Sequence, residues 1–168
     1  FELGRADAAR LNRLLSCDPD AHLASLIEGT AGAVWAASAE SEVAPLLRRM
    51  KAEAALLIAL CDIGGVWPVM RVTAALTDLA TASVQMALRF LLRQEVARGR
   101  IKAPDPEHPE VGCGLIVLAM GKMGAGELNY SSDIDLIVFF DRNATSLDPD
   151  IEPQPFFVRL TQGMARLL

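Results

Sequence analysis

Two histidines in 168 residues leave little material for an imidazole-built metal centre. His22 and His108 stand far apart, with no cysteine or carboxylate at ligand spacing, and both are read as surface or loop residues. The three cysteines, Cys17, Cys61 and Cys113, are an odd, scattered set with no Cys-x-x-Cys pair. That excludes a disulfide framework and a zinc site, and it predicts reduced core thiols in a cytoplasmic protein. The chain is 52% hydrophobic, yet no apolar stretch approaches the ~20 residues of a membrane span. The start, Phe1 to Arg5, lacks the basic and apolar segments of a signal peptide. A net charge of −5 excludes a non-specific nucleic-acid surface, so any nucleotide contact must come from local groups. No internal repeat is visible. A chain that opens on Phe1 and closes on Leu167-Leu168 in mid-pattern reads as a piece of something longer.

Alanine and leucine dominate residues 1–101, without strand-like alternation, so this region is expected to be helical. A first helix is predicted from Arg5 to Leu15, ending near Pro19. A second is predicted from Pro19 toward Ala39, weakened by Gly29 and Gly32. Ser41 is the expected N-cap of a third, with Pro45 early enough to be tolerated. Leu46, Leu47, Met50, Ala54, Leu57, Ile58 and Cys61 form its apolar stripe, and Gly64-Gly65 ends it. Pro68 opens another helical region, strongly periodic from Val72 to Ala97 and stopped by Gly99. The spacing leaves open whether that region is one helix or two.

Residues 102–113, with Pro104, Pro106 and Pro109, read as a linker that no helix can cross. An α/β part, residues 114–168, is expected after it. Strands are predicted near 114–120 and 134–140, and a final helix starts at Pro155 behind a second Pro-rich connection. Phe156, Phe157, Leu160 and Met164 share one face of that helix. The predicted fold class is therefore α+β.

Chemistry concentrates in residues 121–136, Gly-Lys-Met-Gly-Ala-Gly-Glu-Leu-Asn-Tyr-Ser-Ser-Asp-Ile-Asp-Leu. Gly121, Gly124 and Gly126 permit positive φ and close approach of backbone to ligand, and successive amides in such a turn can bind an anion. Lys122 adds a charge for a phosphate, and Ser131 and Ser132 add hydroxyls. The spacing matches neither a Walker loop nor a dinucleotide fingerprint. Asp133 and Asp135, two apart on an extended segment, point to one side while Ile134 points to the other. Neighbouring carboxylates repel unless a cation lies between them or one is protonated. Mg²⁺, which takes one or two carboxylates plus substrate phosphates, suits the pair. A bare Asp-x-Asp is more often solvated and inert; the glycine loop ahead of it reverses the odds.

The stretch Leu118 to Ile137 resembles the nucleotidyltransferase motif of the bacterial glutamine synthetase adenylyltransferase family, within the DNA polymerase beta-like superfamily. Leu46 to Lys51 with Leu56 to Asp62 is similar to that family's basic helix ahead of the catalytic domain. Phe156 to Gln162 is similar to its helix after the metal strand. The resemblance covers roughly residues 40–168. It implies a helical region followed by the start of a polymerase beta-like domain, with Asp133 and Asp135 as ligands of a two-ion Mg²⁺ site and Gly121, Lys122, Gly124, Ser131 and Ser132 near a nucleotide such as ATP, ADP or AMP. Family enzymes carry two such domains. One removes AMP from a tyrosine of glutamine synthetase by phosphorolysis, and the other attaches AMP from ATP. Glu127 to Asp135 is similar to the adenylyl-removing version, which assigns the chain to that half. Glutamine synthetase and, through the full-length enzyme, the PII signalling protein are the implied partners. The superfamily's third carboxylate lies beyond this sequence, so the isolated piece is expected to be nearly inactive. Two alternatives stand beside this reading: the adenylylating domain, and a non-catalytic helical interaction module.

Other residues carry blander expectations. Arg48, Arg49 and Lys51 are read as a solvated helix face, Trp35 and Trp67 as core fillers, and Asp141 as a turn residue. Asn129 is expected to hold the loop by an Asx-type bond. Glu127 divides evenly between a ribose contact and a loop role.

Overall fold

The computed structural model describes residues 8–143 and 146–168. Six helices and two strands follow in the order α1 (Ala8–Ser16), α2 (Pro19–Ala36), α3 (Glu40–Ile63), α4 (Val69–Ala97), β1 (Leu115–Ala119), α5 (Gly121–Gly124), β2 (Leu136–Phe140) and α6 (Pro153–Leu167). The α+β expectation holds. Arg5, the predicted first residue of α1, lies outside the described residues.

Helix ends show where local chemistry decided the boundaries. Asp18 caps α2 by accepting from the Ala21 amide at 2.9 Å, with Pro19 in the first turn. Ser41 does not cap α3. The N-cap is Ala39, and Glu42 instead reaches back to accept from the Ser38 amide at 2.9 Å. The carboxylate thus fastens the segment entering the helix, on an amide ahead of the N-cap, and no side chain caps the first turn itself. Pro45 consequently sits inside α3, not at its start. Gly29 and Gly32 leave α2 unbroken. The Pro68 region is one helix of 29 residues, because nothing between Val69 and Ala97 interrupts its burial stripe. In α6 the first-turn proline is Pro153, two residues earlier than predicted.

α2, α3 and α4 pack against one another, and α6 lies across α4 and α3. The stripe Leu47, Met50, Ala54, Leu57 and Ile58 is buried, as are Leu76, Leu79, Ala87, Phe90 and Leu92 of α4. Gly163 lets α6 sit close on α4: a Cβ there would lie 3.2 Å from a Leu91 methyl. All three cysteines are free, with Cys61 and Cys113 buried. Burial pushes both of those thiols up from their ordinary value.

One polar cluster joins three helices. Arg10 and Arg13 of α1 both donate to Glu53 of α3, Arg13 at 2.9 Å, and His22 of α2 lies 3.4 Å away. His22 is therefore a half-buried helix residue and not a surface or loop residue, whereas His108 is exposed in a loop. Burial would raise the Glu53 carboxyl, but the hydrogen bonds from Arg13 and Arg10 outweigh it and hold the group below its ordinary value. A depressed folded-state pKa adds stability that is present above the unfolded value, 4.5, and is lost as pH falls through the folded one. Glu53→Gln is expected to cost about 1–2 kcal/mol at neutral pH, a figure reduced for the exposed Arg13. Urea denaturation should show that gap closing as pH falls below 4.5 and the native carboxyl also protonates.

Residues 102–113 form no helix, as their prolines require. They are nevertheless held down. Ile101, Pro109 and Cys113 are buried, the Lys102 amide donates to the Ser146 carbonyl at 2.6 Å, and Ile101 pairs with Leu147. Arg89 of α4 donates to the Glu107 carbonyl and lies 3.2 Å from Glu110.

β1 and β2 are antiparallel, with Leu115 opposite Phe140 and Ala119 opposite Leu136. Their inner residues rest on the helices, and Phe140 stacks on Phe157 of α6 at 5.2 Å. The apolar content of both segments suggested strands packed into a core. Instead Ile116, Leu118, Ile137 and Phe139 are exposed, because helices cover only one face among the described residues.

Candidate functional site

The turn after β1 is not an open glycine loop. Residues 121–124 make one helical turn, α5, in which the amides of Gly124, Ala125, Gly126 and Glu127 donate to the carbonyls of Met120, Gly121, Met123 and Lys122. The amides of Gly121, Lys122 and Met123 have no acceptor among the described residues, as at the start of any helix. Gly121 and Gly126 adopt positive φ, as expected. Gly124 does not. Its glycine is needed for space, since a Cβ would lie 2.4 Å from the Ala119 carbonyl oxygen. The buried Met123 pins the turn, while Lys122 is exposed and has no ion-pair partner among the described residues.

The observed strand starts two residues later than the predicted 134–140, so both acids fall just outside it. β2 begins at Leu136, so Asp133 and Asp135 occupy its extended lead-in and not its first positions. Pairing still reaches them, because the Met120 amide donates to the Asp135 carbonyl at 2.8 Å. Alternation also continues: Asp133 and Asp135 are exposed, Ile134 half-buried. The two acids therefore continue the exposed face of Ile137 and Phe139. A Cβ on Gly121 would lie 3.5 Å from the Asp135 Oδ2 atom, which places the turn's first residue against that carboxylate. Among the described residues no cation is paired with either acid.

That donor set fits a hard divalent cation: two unpaired, water-accessible carboxylates on one side, with free amides and Lys122 nearby for the phosphates it would bring. No group of three or more His, Cys, Asp or Glu side chains is placed to hold a metal among the described residues.

Residues 127–132 link the turn to the acids. Asn129 Oδ1 accepts from the Ser131 amide at 3.1 Å and from the Ser132 hydroxyl at 2.7 Å, the expected Asx-type bond. The Ser132 hydroxyl proton is thereby engaged, so toward a ligand it offers lone pairs. Ser131 is exposed, and Glu127 is exposed. Two contacts were not legible beforehand. Leu128 is buried and its amide donates to Thr77 Oγ1 at 3.2 Å, and the Tyr130 hydroxyl donates to Asp62 Oδ2 at 3.2 Å. Asp62 closes the apolar stretch Leu56 to Asp62 noted above; nothing in the sequence marks Thr77. A cleft of about 340 Å³ lies beneath the loop, between Leu76, Leu79 and Ala80 on one wall and Ser132, Asp133 and Ile134 on the other. Lys51 lines its edge, whereas Arg48 and Arg49 are exposed, as a solvated face predicts. Asp141 accepts from the Asn143 amide at 2.9 Å and is the turn residue expected. Trp67 is buried, its indole donating to Asp20 at 3.3 Å, while Trp35 is only half-buried under Arg89 and Arg93.

The chain that carries this glycine turn and acid pair on a helical body belongs to the glutamate-ammonia ligase adenylyltransferase family, whose model matches residues 8–168. Across its whole length it is 76% identical to a Bradyrhizobium diazoefficiens protein named bifunctional glutamine synthetase adenylyltransferase/adenylyl-removing enzyme. Proteins of that name from Rhodopseudomonas palustris and Xanthobacter autotrophicus are 69% and 55% identical over the same 168 residues. The chain spans 17% of the length of each of these relatives. No helix among the described residues is long and apolar enough to cross a membrane.

Proposed function

We propose that residues 114–168 begin the adenylyl-removing centre of a bifunctional adenylyltransferase and that residues 8–101 are its helical support. In this reading the substrate is a glutamine synthetase tyrosine carrying AMP, and the reaction is phosphorolysis in the cytoplasm. The observation that supports it most is the pair Asp133 and Asp135, turned to one side, free of counter-cations and set against the Gly121 turn.

An oxygen of inorganic phosphate attacks the α-phosphorus of the tyrosyl-AMP. A new P–O bond forms, the bond to the phenolic oxygen breaks, and the products are ADP and tyrosine, whose oxygen takes up the proton given by the phosphate. Asp133 and Asp135 would hold Mg²⁺, which supplies neutralisation of charge on the attacking and leaving oxygens. Free amides of Gly121 and Lys122, with the Lys122 ammonium, orient phosphate oxygens. Ser132 accepts a hydrogen bond or lends a lone pair at the same edge, and Ser131 and the Gly124 turn border it. PII as regulator of the full-length enzyme belongs to the same family reading.

The test uses a full-length family protein carrying these 168 residues. Incubation of adenylylated glutamine synthetase with phosphate and Mg²⁺ should yield ADP, and EDTA should stop it. Silencing the other nucleotidyltransferase domain should leave this activity standing. If AMP transfer from ATP to unmodified glutamine synthetase survives instead, the chain is the adenylylating half. The 168 residues alone, with two carboxylates, are expected to turn over at least ~10²-fold more slowly.

A further inference from the structure

In the Asp133 loop, packing alone does not set the position of the acids. Asn129, Ser131 and Asp133 are exposed, Tyr130 is 52% exposed, and the 340 Å³ cleft leaves space beneath them. Between Leu128 and Ile134 no residue is buried. Directional contacts must therefore fix the height and orientation of this segment, and two of them come from the helical half of the chain. We propose that Asp62 and Thr77 are positioning residues for the transfer reaction: they hold the Leu128–Tyr130 segment so that Asp133 and Asp135 face one cation. The proposal rests on the assignment of those two acids as metal ligands.

Both anchors are themselves held. Thr77 Oγ1 donates to the Thr73 carbonyl at 2.9 Å, which turns a lone pair toward the Leu128 amide. Asp62 lies in the last turn of α3, where its carbonyl accepts from the Gly65 amide at 3.1 Å. The neighbouring Cys61 carbonyl takes the Val66 and Trp67 amides at 2.8 and 3.2 Å. The buried Trp67 ring seals that corner, and Arg71 lies 4.5 Å over it while donating to Asp20. From Tyr130 the path to the acids is short and stiff, because Asn129 gathers Ser131 and Ser132 onto one oxygen. A shift of Asp62 or Thr77 reaches Asp133 within a few bonds of loop, and sub-ångström misplacement of a ligand pair weakens a metal site strongly.

The chain's single tyrosine makes the first contact directly observable. Burial first, then the negative charge of Asp62 and the hydrogen bond it accepts, push the Tyr130 hydroxyl up from 10 to about 12. The hydroxyl thus remains a donor at any working pH.

Tyrosinate absorbance of the 168-residue chain, read at pH values where circular dichroism shows the fold intact, should therefore start to rise at lower pH in Asp62→Ala. In a full-length family protein carrying this sequence, Tyr130→Phe and Asp62→Ala should each lower the kcat of Mg²⁺-dependent AMP removal about tenfold and raise the Mn²⁺ dissociation constant several-fold, with KM for phosphate within about twofold. The double variant should be no worse than either single one, since both remove one contact. Asp62→Asn and Thr77→Ser keep an acceptor and should recover most of the loss, while Thr77→Val should not. Wild-type kcat and Mn²⁺ affinity in both Asp62→Ala and Tyr130→Phe would overturn the proposal, as would effects that multiply in the double variant. Wild-type protein that transfers AMP in neither direction would instead sink the assignment of the acids and this role with it. The two failures are distinguished by whether the unsubstituted protein turns over.

Discussion

Asp133→Asn and Asp135→Asn, each introduced into a full-length family protein carrying this chain, should lower Mg²⁺-dependent AMP transfer by about 10³-fold or more. Asparagine keeps the size of the side chain and one acceptor oxygen, so only the charge and its cation are removed. Neither acid is tied to an arginine, lysine or histidine among the described residues, so no structural ion pair is broken. Both side chains are exposed, and surface substitutions of that kind change stability by about 0.5 kcal/mol or less. Without metal, neutralising one of two neighbouring carboxylates relieves repulsion, so the melting temperature should hold or rise slightly. With Mg²⁺, the unsubstituted protein should gain stability by ligand binding, and the variants should not. Calorimetry with and without Mg²⁺ separates these cases. Variants that keep full activity, or that lose their fold without metal, would show the acids to be something other than a cation site.

Gly124→Ala should be nearly as damaging, for a different reason. The added methyl would lie 2.4 Å from the Ala119 oxygen and 3.0 Å from its carbonyl carbon, both backbone atoms with no rotamer to change. Relief requires α5 or the end of β1 to move. Ala119 pairs with Leu136, and Met120 donates to the Asp135 carbonyl at 2.8 Å, so the displacement passes straight to the acid segment. Overpacking of this type costs about 2–3 kcal/mol, and the accompanying misplacement should lower kcat about 10²-fold. Gly29→Ala is the natural comparison. A Cβ there meets nothing within 4 Å, and the position is inside α2, so that change should be neutral or stabilising by up to about 1 kcal/mol. Urea denaturation of both variants, with activity measured alongside, tests whether close approach, and not loss of a glycine as such, matters at residue 124.

Helix existence was legible in the sequence because apolar spacing and proline or glycine punctuation act locally. The stripe from Leu47 to Ile58 and the stop at Gly64-Gly65 are short-range facts, and they reappear as a buried face and a helix end. Boundaries were less legible where two local groups compete for one role. Ser41 and Glu42 both lie in the first turn of α3, and it is the longer carboxylate that reaches back to the Ser38 amide ahead of the N-cap. The two strands were found by their β-branched and aromatic content. Which faces they bury was not, because exposure depends on where α6 lies and not on the strands' own composition. His22 illustrates the same limit: its setting between α1 and α3 is created by Glu53, thirty-one positions away in the sequence.

Residue order alone determined which groups the candidate site can offer. Glycines, a lysine and two alternating acids within sixteen residues fix which groups are available, since covalent spacing sets which side chains share a face of an extended segment. Tertiary structure alone decided where that chemistry is held. The contacts of Thr77 with Leu128 and of Asp62 with Tyr130 cross the fold, 51 and 68 residues apart, and the space that forbids a side chain at Gly124 depends on how the turn packs back on Ala119. Distances of that kind are set by packing, and local sequence carries no record of them.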